Sequence, residues 1–237
     1  MKLNHNSNWI EKAKKEVAKA AIRHVEDGFI VGLGSGSTLA YAIKELSEKI
    51  KKEKIVVWGI PSSYQAFLLA TKYGIKITTF EEHPIINLTI DGADQINPQL
   101  NLIKGMGGAL TREKIVASAS KTNIIIADEN KKVTNLGDGN HPVPIEVLPF
   151  ALSLVKNQIE QIGGAVVIRE GTGKVGPVIT DNGNAIIDAS FGVIKNPKEL
   201  NKKLKLITGV IETGLFIDST DIVYIGKPTR IEKIEKK

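Results

Sequence analysis

The apolar positions of this chain alternate between a helical and a strand-like spacing. Apolar residues between positions 9 and 25 lie on one face of a predicted helix, and Gly28 follows as a stop signal. Residues 29–33 then form a short apolar run, which is typical of a strand buried on both faces. A second helical pattern, at residues 39–50, separates this strand from the next one.

The same alternation continues to residue 127. Apolar runs that predict strands lie at residues 55–60, 75–80, 85–90 and 124–127, and helical patterns lie at residues 62–73 and 110–120. Ser62 or Ser63 is the predicted cap of the first of these two helices. Because parallel strands need crossover connections, this order predicts a Rossmann-like, mostly parallel sheet with helices on both faces.

The pattern changes at residues 137–142, a polar, glycine-rich stretch that contains a proline. Beyond it, the periodicity predicts the element order βαββαβ, which is typical of a ferredoxin-like α+β domain. We therefore expect residues 137–213 to form a smaller inserted domain. Residues 1–136, completed by residues 214–237, would form the Rossmann-like domain.

A turn motif lies inside the predicted smaller domain. The sequence Thr180-Asp181-Asn182-Gly183-Asn184 joins predicted strands at residues 178–180 and 185–187, and its Asn-Gly pair is a hairpin signal. We interpret this motif as a structural turn.

Composition excludes several kinds of site. The chain has no cysteine, so disulfides, thiolate nucleophiles and zinc–thiolate centres are excluded. Its four histidines are scattered and never fall at metal-ligand spacing. We expect a protein that uses neither a metal nor a cofactor.

The charge and hydropathy of the chain limit the kinds of partner that it is expected to bind. The net charge is +6, from 32 basic and 26 acidic residues, and the lysines are mixed with acids as on an ordinary solvated surface. The chain lacks a basic stripe or nucleic-acid reader motif, and no apolar run approaches the roughly 18 residues of a membrane span. Residues 1–8 lack the apolar core of a secretion signal. We expect a cytoplasmic protein that binds neither nucleic acid nor membrane.

A glycine-rich loop joins the first predicted strand to the following helix, with the sequence Gly32-Leu33-Gly34-Ser35-Gly36-Ser37-Thr38. A helix N-terminus offers free N–H groups and a partial positive charge, so it favours phosphate, and Ser37 and Thr38 add hydroxyl donors. Serine at the third glycine position departs from the dinucleotide fingerprint, and there is no P-loop lysine. Taken alone, the loop is equally compatible with a tight turn that binds no ligand.

A second candidate site follows the predicted strand at residues 85–90, where Asp91-Gly92-Ala93-Asp94 falls at the edge at which open α/β sheets bind ligands. The segment Lys104-Gly105-Met106-Gly107-Gly108 follows, with glycines that let backbone N–H groups approach a ligand. Glu113 lies near the start of the next predicted helix. Each acid also has a structural interpretation, as a turn residue, a helix cap or a partner of the helix dipole.

Together, these residues suit proton abstraction next to a carbonyl group. That chemistry needs a base, cationic or N–H donors for the oxygen that gains charge, and polar groups that hold hydroxyls. Three carboxylates could also hold magnesium, but Lys104 would supply the positive charge that a metal otherwise brings. From the residues alone, we predict proton transfer on a phosphorylated hydroxy-carbonyl compound.

These motifs resemble those of the type A ribose-5-phosphate isomerase family. The family pattern has the glycine-serine-threonine loop, the sequence DGAD, a lysine with a glycine-rich segment, the sequence R/Q-E-K and the sequence TDNGN, all in the order found here. This chain has Arg112-Glu113-Lys114 at the fourth of these positions and Met106 where many family members have glycine. The resemblance extends from about Lys14 to Gly226, and we expect the loop to tolerate Met106.

The resemblance implies an enzyme that interconverts D-ribose 5-phosphate and D-ribulose 5-phosphate in the pentose phosphate pathway. It implies Glu113 as the general base and Lys104 as the oxyanion lysine, helped by backbone N–H groups of the glycines that follow. Asp91 and Asp94 would bind the sugar and take part in ring opening. The implied phosphate donors are Ser35, Gly36, Ser37 and Thr38 in the loop, together with Lys131. Lys14 matches a further substrate-binding lysine of the family, although the adjacent Lys15 could take that position instead. Gly92, Ala93, Gly105, Met106 and Gly107 complete the implied substrate contacts.

The resemblance also implies a homodimer or homotetramer. Two alternative functions remain, one from another class of protein and one a different enzyme. A sugar-phosphate-sensing transcription regulator would need a DNA-binding segment, for which the first helix leaves no room before the first strand. An aminosugar-phosphate isomerase–deaminase normally uses a catalytic histidine, which has no candidate position here.

Overall fold

The computed structural model describes residues 5–173 and 175–236, with side chains from residue 9 onward. The chain forms two compact units. The first is drawn from Met1–Ala93, Arg112–Lys131 and Ser219–Lys237, and the second from Asp94–Thr111 and Lys132–Asp218. Residues 1–4 lie outside the described residues. They are part of the segment, residues 1–8, that is predicted to lack the apolar core of a secretion signal.

Fourteen strands are present in the described residues. In chain order they are β1 (Ile30–Leu33), β2 (Trp58–Pro61), β3 (Lys76–Ile77), β4 (Leu88–Asp91), β5 (Gln95–Ile96), β6 (Leu102–Ile103), β7 (Asn123–Asp128), β8 (Val143–Val147), β9 (Ala165–Ile168), β10 (Ala185–Ser190), β11 (Val210–Thr213), β12 (Leu215–Phe216), β13 (Ile222–Gly226) and β14 (Ile231–Glu235).

Six α-helices connect these strands, namely α1 (His5–Ile22), α2 (Ser37–Glu53), α3 (Tyr64–Lys72), α4 (Leu110–Ser118), α5 (Leu152–Gln161) and α6 (Pro197–Lys205). The predicted cap of α3 is confirmed, because the Ser63 side chain accepts a hydrogen bond from the Ala66 N–H at 3.1 Å. Within the described part of the chain, no helix is both long and apolar enough to cross a membrane.

The first unit contains a seven-stranded sheet in the order β14-β13-β7-β4-β1-β2-β3. Only β14 runs antiparallel to its neighbour. Successive side chains of a strand point to opposite faces, and β1 shows where the helices lie. Val31 packs in one cluster with residues of α1 and α2, whereas Ile30 packs in another with Val116 of α4. The predicted mostly parallel sheet with helices on both faces is confirmed.

The second unit contains a four-stranded antiparallel sheet in the order β11-β8-β10-β9. Helices α5 and α6 pack on one face of it, around core positions such as Ile145 and Ile187. Numbered within the unit, these strands follow the spatial order 4-1-3-2 with a helix after the first and third strands. This arrangement is the predicted ferredoxin-like βαββαβ fold.

The predicted strand at residues 178–180 is wrong. This segment makes only isolated bridges, Glu170 with Pro177 and Ile179 with Ala185. Strand β10 already pairs with β8 on one side and with β9 on the other, so little of its edge remains for a hairpin partner. The turn itself forms, because the Thr180 N–H donates to the Asn184 carbonyl at 2.8 Å.

A further three-stranded sheet, in the order β12-β6-β5, also belongs to the second unit. Its short strands have no counterpart in the predicted elements. Residues 214–237 are predicted to complete the first domain. Instead, Leu215 and Phe216 pair with β6, and only β13 and β14 rejoin the large sheet. The domain boundaries at residues 136/137 and 213/214 remain a prediction.

Candidate active site

The predicted phosphate loop leads from β1 into α2 in the first unit. Gly36 has φ 98° and precedes the first helical residue, Ser37. Ser37 is exposed and Thr38 is half-buried, and neither side chain hydrogen-bonds to another described residue. Because the first N–H groups of a helix lack partners within it, this loop ends in unused donors of the kind that bind an anion.

Asp91 ends β4, the strand beside β1, and only 3% of its surface is exposed. Its Oδ1 accepts hydrogen bonds from the N–H groups of Gly92 at 2.7 Å and of Ser35 at 3.3 Å. The structure therefore brings the first acid of the DGAD motif into contact with the phosphate loop, as their positions on neighbouring parallel strands predict.

Polar residues after β2 hold the same loop from the other side. The Ser35 hydroxyl lies 3.0 Å from the Ser62 hydroxyl and donates to that of Ser63 at 2.6 Å. The Gly36 N–H donates to the side-chain oxygen of Gln65 at 2.9 Å. No motif in the sequence marks these three residues as part of the site, although they follow the strand next to β1 and so lie at the same edge of the sheet.

Lys131 lies in a short 3-10 turn directly after β7 and is half-buried. Strands β7, β4 and β1 are adjacent and parallel, so Lys131, Asp91 and the loop all follow the carboxyl ends of neighbouring strands. This common edge favours a shared anionic ligand.

Lys14 lies on α1 and pairs with Glu11, with Nζ 2.9 Å from Oε1. The other oxygen of Glu11 accepts a hydrogen bond from the Tyr41 hydroxyl. The Tyr41 hydrogen bond and then Lys14 lower the pKa of Glu11, and the same hydrogen bond raises the pKa of Tyr41. Lys14 is thus oriented by a carboxylate that is ionised at neutral pH.

Glu113 lies in the first turn of α4 and is 5% exposed. A carboxylate at this end of a helix interacts favourably with the helix dipole, as its structural interpretation predicts. Burial of an ionisable side chain has a desolvation cost, and buried ionisable groups are concentrated at functional sites. The burial of Glu113 therefore favours a functional role as well.

In the second unit, Asp94 precedes β5 and is half-buried. Its Oδ2 accepts a hydrogen bond from the Met106 N–H at 3.0 Å, and its own N–H donates to the Ile103 carbonyl at 2.8 Å. Asp94 is therefore joined to the glycine-rich segment, although it lies 12 residues before Met106.

Lys104 follows β6 and is only 4% exposed. Its Nζ lies 5.4 Å from the centre of the Phe216 ring, and its backbone N–H donates to the Gly214 carbonyl at 2.9 Å. The aromatic face stabilises the ammonium group where little water reaches it. Phe216 has no signal in the sequence because it lies far along the chain.

The segment after Lys104 is a tight turn. Gly105 has φ 104°, and a Cβ there would lie 2.8 Å from the Leu110 Cβ and 3.2 Å from that of Pro144. The Gly108 N–H donates to the Gly105 carbonyl at 2.9 Å. Met106 does not have positive φ and its side chain is 42% exposed, so this position accepts a side chain without backbone strain.

The Thr180–Asn184 turn is held by Glu146, a fully buried carboxylate on β8 that no motif in the sequence marks. Its Oε1 accepts hydrogen bonds from the side chains of Thr180 at 2.9 Å, Asn182 at 3.0 Å and Asn184 at 2.8 Å. These contacts support the interpretation of the motif as a structural turn. The residues that the structure describes contain no cluster of three or more metal-binding side chains.

Comparison with known proteins identifies the family. The model of the family described as Ribose 5-phosphate isomerase A (phosphoriboisomerase A) matches residues 58–230. The chain belongs to this family. Membership favours the isomerase hypothesis over both alternatives, the sugar-phosphate-sensing regulator and the aminosugar-phosphate deaminase.

Similar proteins match nearly the whole chain. Ribose-5-phosphate isomerase A from Methanothermobacter thermautotrophicus is 46% identical over 90% of this chain and 93% of its own. The structure of ribose 5-phosphate isomerase A from Methanocaldococcus jannaschii is 42% identical and superposes with a TM-score of 0.91 over 95% of this chain and 99% of that one. A D-ribose-5-phosphate isomerase in complex with phospho-erythronic acid is 45% identical, with a TM-score of 0.92 and the same coverage.

Proposed function

We propose that this protein interconverts D-ribose 5-phosphate and D-ribulose 5-phosphate in the non-oxidative pentose phosphate pathway. The observation that carries the proposal is its similarity, at 45% identity and a TM-score of 0.92, to an isomerase structure that holds phospho-erythronic acid. That compound is a phosphorylated four-carbon sugar acid. Its carboxylate resembles the planar, negatively charged C1–C2 unit of an enediolate.

The proposed base is Glu113. In the open-chain aldose, its carboxylate takes the proton from C2 while the C1 carbonyl becomes an enediolate oxygen. The hydroxyl proton of O2 passes to O1, C2 becomes the carbonyl carbon, and Glu113 returns the proton to C1. The reaction balances within the substrate and needs no oxidant or reductant.

Lys104 is proposed to stabilise the enediolate oxygen. Its ammonium group is buried beside the Phe216 ring, and an electrostatic contact is stronger where water is excluded. The negative charge develops only as the proton leaves C2. This contact therefore strengthens in the transition state and accelerates the chemical step.

Asp91 and Asp94 are proposed to hold the sugar hydroxyls and to assist ring opening. Both carboxylates are oriented by backbone N–H groups, those of Gly92 and Ser35 for Asp91 and that of Met106 for Asp94. A carboxylate that already accepts from N–H groups still has lone pairs for hydroxyl donors.

The phosphate is proposed to bind at Ser35–Thr38 with Lys131, and Lys14 is proposed as a further substrate-binding lysine. The N-terminus of α2 provides N–H groups and a partial positive charge, and Ser37 and Thr38 provide hydroxyls. This contact is present in the ground and transition states alike, so it contributes to affinity. The remaining proposed substrate contacts are Gly92, Ala93, Gly105, Met106 and Gly107.

The test is an ultraviolet assay for ketose formation from D-ribose 5-phosphate. We expect turnover with this substrate and a much lower rate with unphosphorylated D-ribose. Turnover should fall steeply in Glu113→Gln but persist in Glu26→Gln, which changes an exposed acid. No ketose from ribose 5-phosphate with folded protein would refute the proposed function.

The remaining expectations concern the whole molecule. We propose a cytoplasmic homodimer or homotetramer in which residues 1–136 with 214–237 form the Rossmann-like domain and residues 137–213 the inserted domain. Light scattering of the purified protein tests the oligomeric state.

A further inference from the structure

Arg169 directly follows strand β9, and Asp188 lies on the adjacent strand β10. The Arg169 N–H donates to the Ile186 carbonyl at 2.9 Å, and Asp188 is paired with Val167. Because side chains alternate along a strand, Arg169 and Asp188 share one face of this strand pair.

The two side chains form a two-point ion pair. The Arg169 Nε donates to Asp188 Oδ2 at 2.8 Å, and Nη2 donates to Oδ1 at 2.5 Å. Only 12% of the arginine side chain and 17% of the aspartate side chain are exposed. A guanidinium held at two points has a fixed plane, so the direction of its remaining donors is fixed as well.

Those remaining donors reach the glycine-rich turn after Lys104. The Arg169 Nη1 donates to the carbonyl oxygens of Gly105 at 2.8 Å and of Met106 at 3.0 Å. Nη2 also lies 3.8 Å from the Met106 sulfur, so the Met106 side chain packs on the same guanidinium. One side chain therefore holds two consecutive peptide groups of the turn.

The orientation of a carbonyl decides that of the next N–H. In a trans peptide, the C=O of one residue and the N–H of the following residue point in opposite directions. With the Gly105 carbonyl on Arg169, the Met106 N–H points away and meets Asp94 Oδ2 at 3.0 Å. Because the Met106 carbonyl accepts from Arg169, the Gly107 N–H also points away from Arg169. It meets no acceptor among the described residues.

We propose that Arg169, oriented by Asp188, is a positioning residue that aims the Gly107 N–H and the Asp94 carboxylate at the substrate. This inference rests on the proposed function of Lys104 and its turn. Without the arginine, the two peptide groups are free to rotate, and the N–H donor is no longer fixed toward the oxygen that gains charge. In this proposal Arg169 acts only through the turn and through Asp94.

The experiment compares Arg169→Ala and Arg169→Lys with Lys205→Ala. Lys205 is the matched control, because it pairs with Glu212 at 3.0 Å in the same unit without any bond to the turn. We expect kcat to fall by about 10–100-fold in Arg169→Ala, with KM changed by less than about threefold, and Lys205→Ala to keep both. The kcat of Arg169→Lys should lie between those of the wild type and Arg169→Ala, because a lysine ammonium group cannot bind Asp188 and two carbonyl oxygens at the same time.

Two further readouts separate positioning from a merely structural role. Guanidinium ion at non-denaturing concentration should restore part of the kcat of Arg169→Ala and leave Lys205→Ala unchanged. The Kd of phospho-erythronic acid should rise in parallel with the loss of kcat, since this acid resembles the enediolate more than the substrate does.

A melting temperature that falls in Arg169→Ala while kcat stays at the wild-type value would overturn the proposal. If Arg169→Ala does not fold, the variants Arg169→Lys and Asp188→Asn test the proposal in its place. A wild-type kcat in both of these variants would overturn it. An inactive wild-type enzyme would instead refute the proposed function. The geometry of the turn would then be tested separately, by faster hydrogen exchange in Arg169→Lys of the Met106 amide, which is bonded to Asp94 Oδ2.

Discussion

Gly34 and Asp91 are packed so closely that no side chain fits between them. A Cβ on Gly34 would lie 2.1 Å from Asp91 Oδ1 and 2.7 Å from the Asp91 Cα. Because the second contact is to backbone, the strands β1 and β4 would have to move apart to admit it. The absence of a side chain at Gly34 thus leaves the space that Asp91 occupies, and the glycine-rich loop and the end of β4 form one structural element.

Gly34→Ala should therefore weaken both folding and substrate binding. We expect a loss of roughly 1–3 kcal/mol in the free energy of unfolding, as for overpacking, together with a raised KM. Denaturant unfolding and steady-state kinetics measure the two effects. Gly171→Ala is the control, since its Cβ would meet only Val178 at an ordinary 3.5 Å. Equal stability of the two variants would contradict the close contact.

Glu113→Gln should fold normally and bind substrate but lose about 10²–10⁴-fold in kcat, because glutamine cannot accept the proton from C2. Circular dichroism and the ketose assay check the two parts of this expectation. Near-normal turnover would favour the structural interpretation of Glu113, a carboxylate that interacts with the dipole of α4.

Lys104 and Lys131 should respond differently to substitution. Lys104→Met keeps packing against Phe216 but removes the charge, so kcat should fall with little change in KM. Lys131→Ala should mainly raise KM, because the phosphate is bound in both ground and transition states. Lys44→Ala, an exposed lysine on α2, provides the control for loss of positive charge. The opposite pattern in the two variants would mean that their proposed roles are exchanged.

Exhaustive treatment with a chelator should leave the activity unchanged, since Lys104 is proposed to supply the positive charge at the enediolate. In deuterated water, the product should gain deuterium at C1 to the extent that Glu113 exchanges its proton before returning it. Activity that disappears with the chelator and returns with a divalent ion would overturn the metal-free mechanism.

Glu146→Gln should destabilise the protein without changing kcat. The substitution weakens three hydrogen bonds to a buried carboxylate, each worth roughly 1.5–3 kcal/mol when charged, although the losses do not simply add. The melting temperature of Glu146→Gln should be lower by several degrees. Glu160→Gln, at an exposed position of α5, should have the melting temperature of the wild type. A lower kcat at a temperature where the variant is fully folded would place the turn in the catalytic machinery.

Local patterns were sufficient for most of the large sheet, most of the smaller domain and the positions of the candidate acids. Periodicity predicts strands such as β1 and β4 because burial imposes a spacing that any short window reveals. The edge at which Asp91 and the phosphate loop meet follows from the parallel order of those strands. The βαββαβ order of the second unit could be predicted for the same reason.

The folded chain was needed wherever the partners are distant in sequence. Arg169 bonds to Gly105 across 64 positions, and Lys104 meets Phe216 on a strand too short to show a period. The strand predicted at residues 178–180 is missing because β9 and β8 already occupy both edges of β10, a competition that no local window contains. A residue's neighbours along the chain set its preference, but pairing and packing with remote segments decide its contacts.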